Sequence, residues 1–576
     1  MSSDTILARS PTGVKLTPKL PDKRKLNQRV KDLFTMREPW FDKWKQIRDY
    51  ELPFIGEFED DNDKSKNYTG KICDSIAWES SQIFASGIMS GLTPPSRQWF
   101  KLGISNRELQ DNTEVAKVLD ERQEILTSVL AKSNFYTAVF SVYSELPYGQ
   151  CPMAIFSNPN TAVQFVPFTI GTYALGCGAN GQVNTFVRKF TMTPAQMKDQ
   201  FGEENLPQNI QRQLTNNDKY TKKHKVIWLV EPNENRVPDK KGRKNMPYSS
   251  IYWVEDSGDG EFLYVGGFEE WAIPTARYMV TGLEAYAKGA GWFALADAKM
   301  LQKLNLDLLT AIELGVKPPM QVSPSLSSDV NLFPGGLTVT DAKDAVKQLF
   351  EVNINVQHLD AKILRVEDSI KRAYCADLFL MLDNLGTNTM TAREVLERTQ
   401  EKLQQLAPMV ERLQYEFLNP IIERVYNVLD RAGVFPPIPD EVMMLLSEQD
   451  VKIEYISPLA QAQKMNGLTS IEQGIAFVAN LMQLYPEVRH KINPIETVNR
   501  YFSDLGCPAV MLRSDDEASQ LTQQEQQQAQ QQAEQAQMME MAQASAPASQ
   551  AVKNVAELAQ NGNPAMQSWL GMGDLQ

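Results

Sequence analysis

Between Gly291 and Asn384 the sequence runs helix, compact β-type segment, helix, and the proline breaks around this unit constrain the fold more than any other feature. Phe293, Met300, Leu301, Leu304, Leu308 and Ile312 recur at helical spacing on the first helix, which Pro318 and Pro319 terminate. About 23 residues at roughly 1.5 Å rise each span about 35 Å. Met320 to Val339 follows with Pro324, Pro334, Gly335 and Gly336 between short apolar runs, and a further β-like run lies at Phe350 to Val356. A second helix is predicted from about Ala361 to Asp383, striped by Ile363, Val366, Ile370, Tyr374, Leu378 and Met381. The short polar loop Asn384 to Met390 leads into a helix over Thr391 to Leu406, where Thr391 and Glu394 have the spacing of a capping box. A lone helix cannot bury such a stripe, so the two helices must pack on the rest of the chain or on neighbouring copies.

The remainder of the chain is too long for one ordinary core. With 576 residues and 42% apolar content it is expected to form several domains or one extended protomer. From Gln28 to about Tyr50 the pattern Val30, Leu33, Phe34, Trp40, Phe41, Trp44, Ile47, interrupted by Pro39, predicts two short helices. Helices are also predicted over Ser75 to Leu92, Asn112 to Ala131 and Asn134 to Leu146. Met153 to Val187 and Lys225 to Val280 are β-rich, with a helical insertion near Pro194 to Leu214. The runs Val226 to Val230 and Ser250 to Val254 suit a hairpin whose tip carries Lys240, Lys241, Arg243 and Lys244. Pro408 and Pro420 interrupt a periodic stretch reaching Leu429, which predicts one long kinked helix or stacked pieces. Past Pro436 the chain reads as mostly helical with one strand, Val451 to Ile456, and Gln520 to Gln537 is a Gln-dominated run.

Charge and motif tests exclude more than they assign. The 58 Lys and Arg stand against 71 Asp and Glu, a net charge of −13, which argues against a protein that coats nucleic acid. The five cysteines are scattered without a CxxC pair, so neither a disulfide framework nor a zinc site is indicated, and synthesis in a reducing host cytoplasm is expected. No window approaches 18 consecutive apolar residues, so no membrane span is expected. Gly176, Gly178 and Gly181 match GxGxxG, but the string leads into a strand and reads as a turn between strands rather than a dinucleotide site. No GxxxxGK[ST] string exists, and His224, His358 and His490 lie far apart without metal-ligand spacing. The acidic run Glu57 to Asp63 reads as a solvated loop. No catalytic residue, metal or cofactor is therefore assigned.

Four stretches, in order, give a family resemblance. They are Gly91 to Leu102 (GLTPPSRQWFKL), Gly289 to Lys299 (GAGWFALADAK), Met390 to Arg398 (MTAREVLER), and Ile456 to Gln463 (ISPLAQAQ) with Leu512 to Ser514 ahead of the Gln-rich end. Together, over nearly all of Gln28 to Ser514, the chain resembles the portal, or head-to-tail connector, family of short-tailed bacteriophages. The resemblance implies an α+β, mostly helical, elongated protomer that assembles into a ring. It implies an N-terminal arm at 1–27, a wing at 28–290, stem helices at 291–317 and 360–383, and a clip at 318–359 between them. A tunnel loop would follow at 384–390, then a long kinked helix at 391–432, a crown at 433–514 and a Gln-rich tail or barrel helix at 515–576.

In that family the ring is a dodecamer at one capsid vertex of the virion, through which double-stranded DNA is packaged by a separate terminase and later ejected. A terminase large subunit, tail adaptor and capsid or scaffolding proteins would be the partners. Twelve helices about 10 Å wide set side by side have a circumference near 120 Å and leave a hole of very roughly 28 Å, which passes a duplex. The expected mechanism is guidance without chemistry: a largely acidic wall holds the polyanion off. Lys299, Lys303, Arg365 or Lys371, together with Thr387, Asn388 and Thr389 of the tunnel loop formed by Asn384, Leu385, Gly386, Thr387, Asn388, Thr389 and Met390, make transient contacts. The ordinary alternative for each cation is an intersubunit salt bridge. Another virion structural protein, such as a tail adaptor or internal ejection protein, is the competing reading.

Overall fold

The computed structural model describes residues 22–58, 68–104, 113–215, 217–237, 242–258, 260–323, 330–331, 346–348, 356–383, 406–438, 451–457 and 474–482, with isolated positions 485, 497, 521, 524 and 527–528. The chain divides into two compact units, Met1–Asn466 and Gly467–Gln576. In the second, residues 474–482 are helical, and Ile475, Phe477 and Met482 are exposed.

In the first unit, α1 (Lys23–Tyr50) begins where the Asp22 side chain accepts from the Arg24 N–H at 3.0 Å. Two short helices were expected here, but Pro39 lies inside one continuous helix. The carbonyl that Pro39 leaves without its i→i−4 donor belongs to Thr35, and both residues are exposed, so water can take the missing donor's place. The opposite face buries Leu26, Val30, Leu33, Phe41, Trp44 and Ile47, each worth on the order of 1.5–3 kcal/mol.

Next come α2 (Ile76–Leu92), β1 (Phe100–Ile104), α3 (Thr113–Lys132) and α4 (Phe135–Glu145), then β2 (Gln150–Asn158) and β3 (Ala162–Pro167). β4 (Tyr173–Cys177), β5 (Val183–Met192), β6 (His224–Pro232), β7 (Tyr248–Val254) and β8 (Tyr264–Phe268) form an antiparallel sheet in sequence order. The helical insertion is α5 (Pro194–Phe201), opened by a Thr193–Gln196 capping box, and α6 (Gln208–Leu214). On one face of the sheet Leu175, Phe186, Trp228, Val230 and Tyr252 join a core with Trp44 of α1; on the other, Ala174, Val187, Ile227, Leu229 and Trp253 meet Leu26, Val30 and Leu33. Both faces are covered, which is why Val226 to Val230 is continuously apolar rather than alternating. The Gly-rich string is the turn joining β4 to β5: the Gly178 N–H donates to Gln182 O at 2.9 Å, and Gly181 sits at φ +75°. Of the basic hairpin tip, Arg243 and Lys244 are exposed on a 3₁₀ turn, and Lys240 and Lys241 lie outside the described residues.

β9 (Thr275–Arg277) completes a three-stranded sheet, ordered β3-β2-β9. Then come α7 (Ala290–Val316), β10 (Met320–Val322), β11 (Val346–Gln348), α8 (Val356–Ala373) and α9 (Ala376–Asp383). The second helix of this unit was expected to run unbroken over 360–383. It starts at Val356 instead and breaks at Tyr374 and Cys375, with Cys375 at φ +54°, a left-handed conformation uncommon outside glycine. Residues 406–413 are helical and pass through a π-type turn, Gln414–Leu418, into α10 (Asn419–Arg431). The wide turn stands immediately before Pro420, where an α-helix would lack a donor, so the periodic stretch continues as one helical run among the described residues.

The predicted strand forms as β12 (Val451–Tyr455), but its partner is β1, in antiparallel register from Phe100↔Tyr455 to Ile104↔Val451. The first unit thus includes β12. The largest core gathers α2, α3, α4, β1, α7, α8, α9 and α10.

Candidate functional site

The α7–α8 unit is seated by close backbone approaches. A Cβ on Gly289 would lie 2.2 Å from Leu146 O, and one on Gly291 3.1 Å from Glu51 Oε2, so the start of α7 tolerates no side chain at the first and little at the second. Trp292 Nε1 donates to Tyr148 O at 2.8 Å and its ring meets Trp40 edge-on at 5.2 Å. Ala290, Ala294, Ala298 and Leu301 are buried in the largest core. One turn further, the buried Gln302 clamps a crossing segment: Oε1 accepts from the Cys73 and Asp74 N–H groups at 2.6 and 2.9 Å, and Nε2 donates to Asp74 O at 2.9 Å. Asp74 in turn accepts from the Ile76 N–H at the start of α2, so α7 positions α2.

Past Gln302 the same face continues at Leu306, Leu309, Ile312 and Val316, spaced four, three, three and four residues on. These side chains are 51, 53, 46 and 72% exposed. The stripe expected from the sequence mixed two faces. Leu304 and Leu308 do pack on the largest core, and Leu301 is buried within it, but Phe293, Met300 and Ile312 are exposed. The buried face of the proximal half is mostly alanine, which a search for large apolar residues passes over. Gln302 is the polar residue on that face, and its place in the periodicity was the only sequence signal for the clamp.

Of the predicted cations, Lys299 is engaged with α1: its Nζ donates to Gln46 Oε1 at 2.6 Å and stands 5.4 Å from the Tyr50 ring. Lys303, exposed, pairs with Asp307 at 2.6 Å along the helix. Arg365 is exposed on α8, and Lys371 is half-buried. Lys299 and Lys303, four apart, share a face of α7, whereas Arg365 and Lys371, six apart, fall about 120° from one another around α8. Burial pushes the Glu367 carboxyl up, Asp74 adds to this, and Lys371 opposes it. The loop residues 384–390 lie outside the described residues, as do most of those between β10 and β11. What is described there is a two-stranded antiparallel ribbon, Met320↔Gln348 to Val322↔Val346.

Two acids sit in the interior, one at the end of α1 and one at the end of α4. Glu51, at the C-terminal cap of α1, accepts from the Tyr374 hydroxyl at 2.5 Å; burial pushes its carboxyl well up, against the opposing pull of Tyr374 and Lys299. Glu145 is pushed by burial up to about 8, against bonds from the Ile170 N–H and Thr169. Neither carried a sequence signal, since each is one glutamate at a helix end. Among the described residues no group of three His, Cys, Asp or Glu side chains is placed to hold a metal, and no helix is long and apolar enough to cross a membrane.

Two of the four recognisable stretches are brought together. β1 carries Phe100 to Leu102 of the first, and the Trp99 carbonyl accepts from the N–H of Ile456, which opens the fourth, at 3.0 Å. Trp99 stacks on Tyr455 at 6.3 Å and on Phe135 at 6.0 Å. The model of the family described as bacteriophage head to tail connecting protein matches residues 23–512. A probable portal protein of Bordetella phage BPP-1 is 32% identical over 510 residues, 87% of this chain and 91% of its own length. The portal protein of Salmonella phage epsilon15 matches equally, at 32% over 510 residues, with the same 87 and 91% coverage. A chain from the virion of a native gene transfer agent particle aligns over 76% of this chain and 92% of its own at 10% identity, with a TM-score of 0.32, too slight a likeness to argue from.

Proposed function

The chain belongs to the bacteriophage head-to-tail connecting protein family, and from that premise we infer that it works as a portal: copies form a ring at one capsid vertex, through which the genome enters and leaves. In this reading α7 and α8 are the stem, the β10–β11 ribbon belongs to the clip, and the sheet with α1 to α4 is the wing. The 384–390 loop faces the channel. Tail and capsid proteins dock on the ring, and a terminase engages it during packaging; twelve copies is the number the family suggests.

The observation that carries the reading is the bare distal face of α7. Four aliphatic side chains in a row on one helix face, exposed in a single copy, mark a contact surface. A ring gives each of them a neighbour. The two relatives named portal proteins favour this over a tail adaptor or internal ejection protein.

Electron microscopy of purified protein tests it directly: closed rings with a central hole of duplex width are expected, and single copies or open filaments would refute it. Deleting Leu385 to Thr389 should leave rings intact while impairing packaging or DNA retention. Unchanged packaging would remove the loop from the mechanism.

A further inference from the structure

The break between α8 and α9 is a left-handed helix end followed at once by a new helix start. Cys375, in a left-handed conformation, donates its N–H to Arg372 O at 3.0 Å, and its own carbonyl then accepts from Leu378 and Phe379 at 3.1 and 3.3 Å to start a new helix. The ladder is therefore interrupted at one residue, and α9 is a separate eight-residue piece.

Two anchors fix it. At its root, the fully buried Tyr374 reaches across 323 residues of sequence to Glu51. Along its length, Phe379 fills a notch on α2: a Cβ on Gly87 would fall 2.1 Å from Phe379 Cγ. Phe84, one turn before Gly87 on the same face of α2, meets Tyr374 at 6.4 Å and Phe379 at 6.2 Å, both edge-on. The remaining oxygen of Glu51, Oε1, is buried with no partner among the described residues. Glu51 thus sits in the interior with one bond, to the residue at the break.

We propose that α9 is a hinged arm, pivoting at Cys375 on a base held by the Tyr374–Glu51 hydrogen bond and latched by the Phe379–Gly87 contact, so that it opens as a unit while α8 stays packed. Glu51 joins the end of α1 and the start of α7 to this base, since the Gly291 Cβ position lies 3.1 Å from its Oε2. Movement of α1 against α7 is therefore transmitted to α9, the element that precedes residues 384–390. The latch stands on the first unit alone and does not depend on whether that following segment meets DNA.

Hydrogen exchange on the full-length protein in its native assembly tests it. In the unaltered chain, 376–383 is expected to exchange through an opening separate from that of 356–373; one common protection across 356–383 would overturn the proposal. Tyr374→Phe and Phe379→Leu each remove one anchor, and each should speed exchange of 376–383 about tenfold, with β5 to β7 and α10 unchanged. Glu51→Gln keeps an acceptor for Tyr374 and should stay within about twofold. If either anchor variant leaves 376–383 unchanged, or speeds the whole chain equally, the latch is wrong.

Discussion

Along one face of α7, Ala294, Ala298 and Gln302 are covered by the protein's own core and by the segment before α2, while Leu306, Leu309, Ile312 and Val316 further along the same face lie exposed. The proximal half uses small residues and one polar clamp, because its neighbours are set by the chain itself and approach closely. The distal half carries large aliphatic side chains that are exposed. The contrast separates the part of the helix that belongs to the fold from the part proposed above as a contact surface, and substitution can test that separation.

The largest effect is expected from Ala298→Asp, which buries a lone carboxylate in the core and should cost on the order of 3 kcal/mol or more. Soluble yield and denaturant unfolding would report it; an unperturbed protein would mean the proximal face is not core. The buried acids near the same end of α7 should give a pH dependence. Between about 4.5 and 8 the unfolded chain has lost the Glu145 proton while the folded protein retains it. The contribution of Glu145 to stability is then highest below 4.5, falls by on the order of a few kcal/mol as pH rises through that window, and is level above it. Glu145→Gln should flatten this slope in unfolding curves collected across the window.

Next in size, Ala298→Leu overpacks the same site and should cost about 1–3 kcal/mol in the same unfolding assay. The double change Leu309→Ser with Ile312→Ser should do the opposite of the proximal variants. Fold stability moves by no more than about 0.5 kcal/mol per site, yet large assemblies disappear from light scattering. Lost stability with intact assemblies would reverse the assignment of the two halves. Smallest of all, Lys303→Ala removes an exposed pair with Asp307 and should shift stability by at most about 0.5 kcal/mol.

How much of this was legible in the sequence follows the range of the forces involved. The 3.6-residue periodicity of α2, α3 and α4 and the turn at Gly178 to Gly181 are local, and their patterns are explicit. The continuous α1 was missed because the cost of Pro39 depends on which side of the helix its orphaned carbonyl faces, a tertiary fact. The break at Cys375 has no glycine or proline to announce it and is tied instead to Glu51, far away in the chain. Of the candidate site, the two helices and their proline stop could be read directly. The alanine face could not, since alanine marks closeness rather than apolar bulk. Lys299 looked available and is held by Gln46, a contact that needs α1 in place.

The β1–β12 ribbon also has a consequence in time. Among the described residues β1 has no strand neighbour other than β12, and residue 455 lies about four fifths of the way through a 576-residue chain. At about 5–20 residues per second of synthesis, the 351 residues separating Ile104 from Tyr455 take roughly 20 to 70 seconds to emerge. Throughout that interval Phe100, Leu102 and Ile104 have no partner strand, and the edge they present invites pairing with another nascent chain. Synthesis rate is thus expected to govern the yield of correctly folded copies, and mispairing is most frequent where many copies are made side by side.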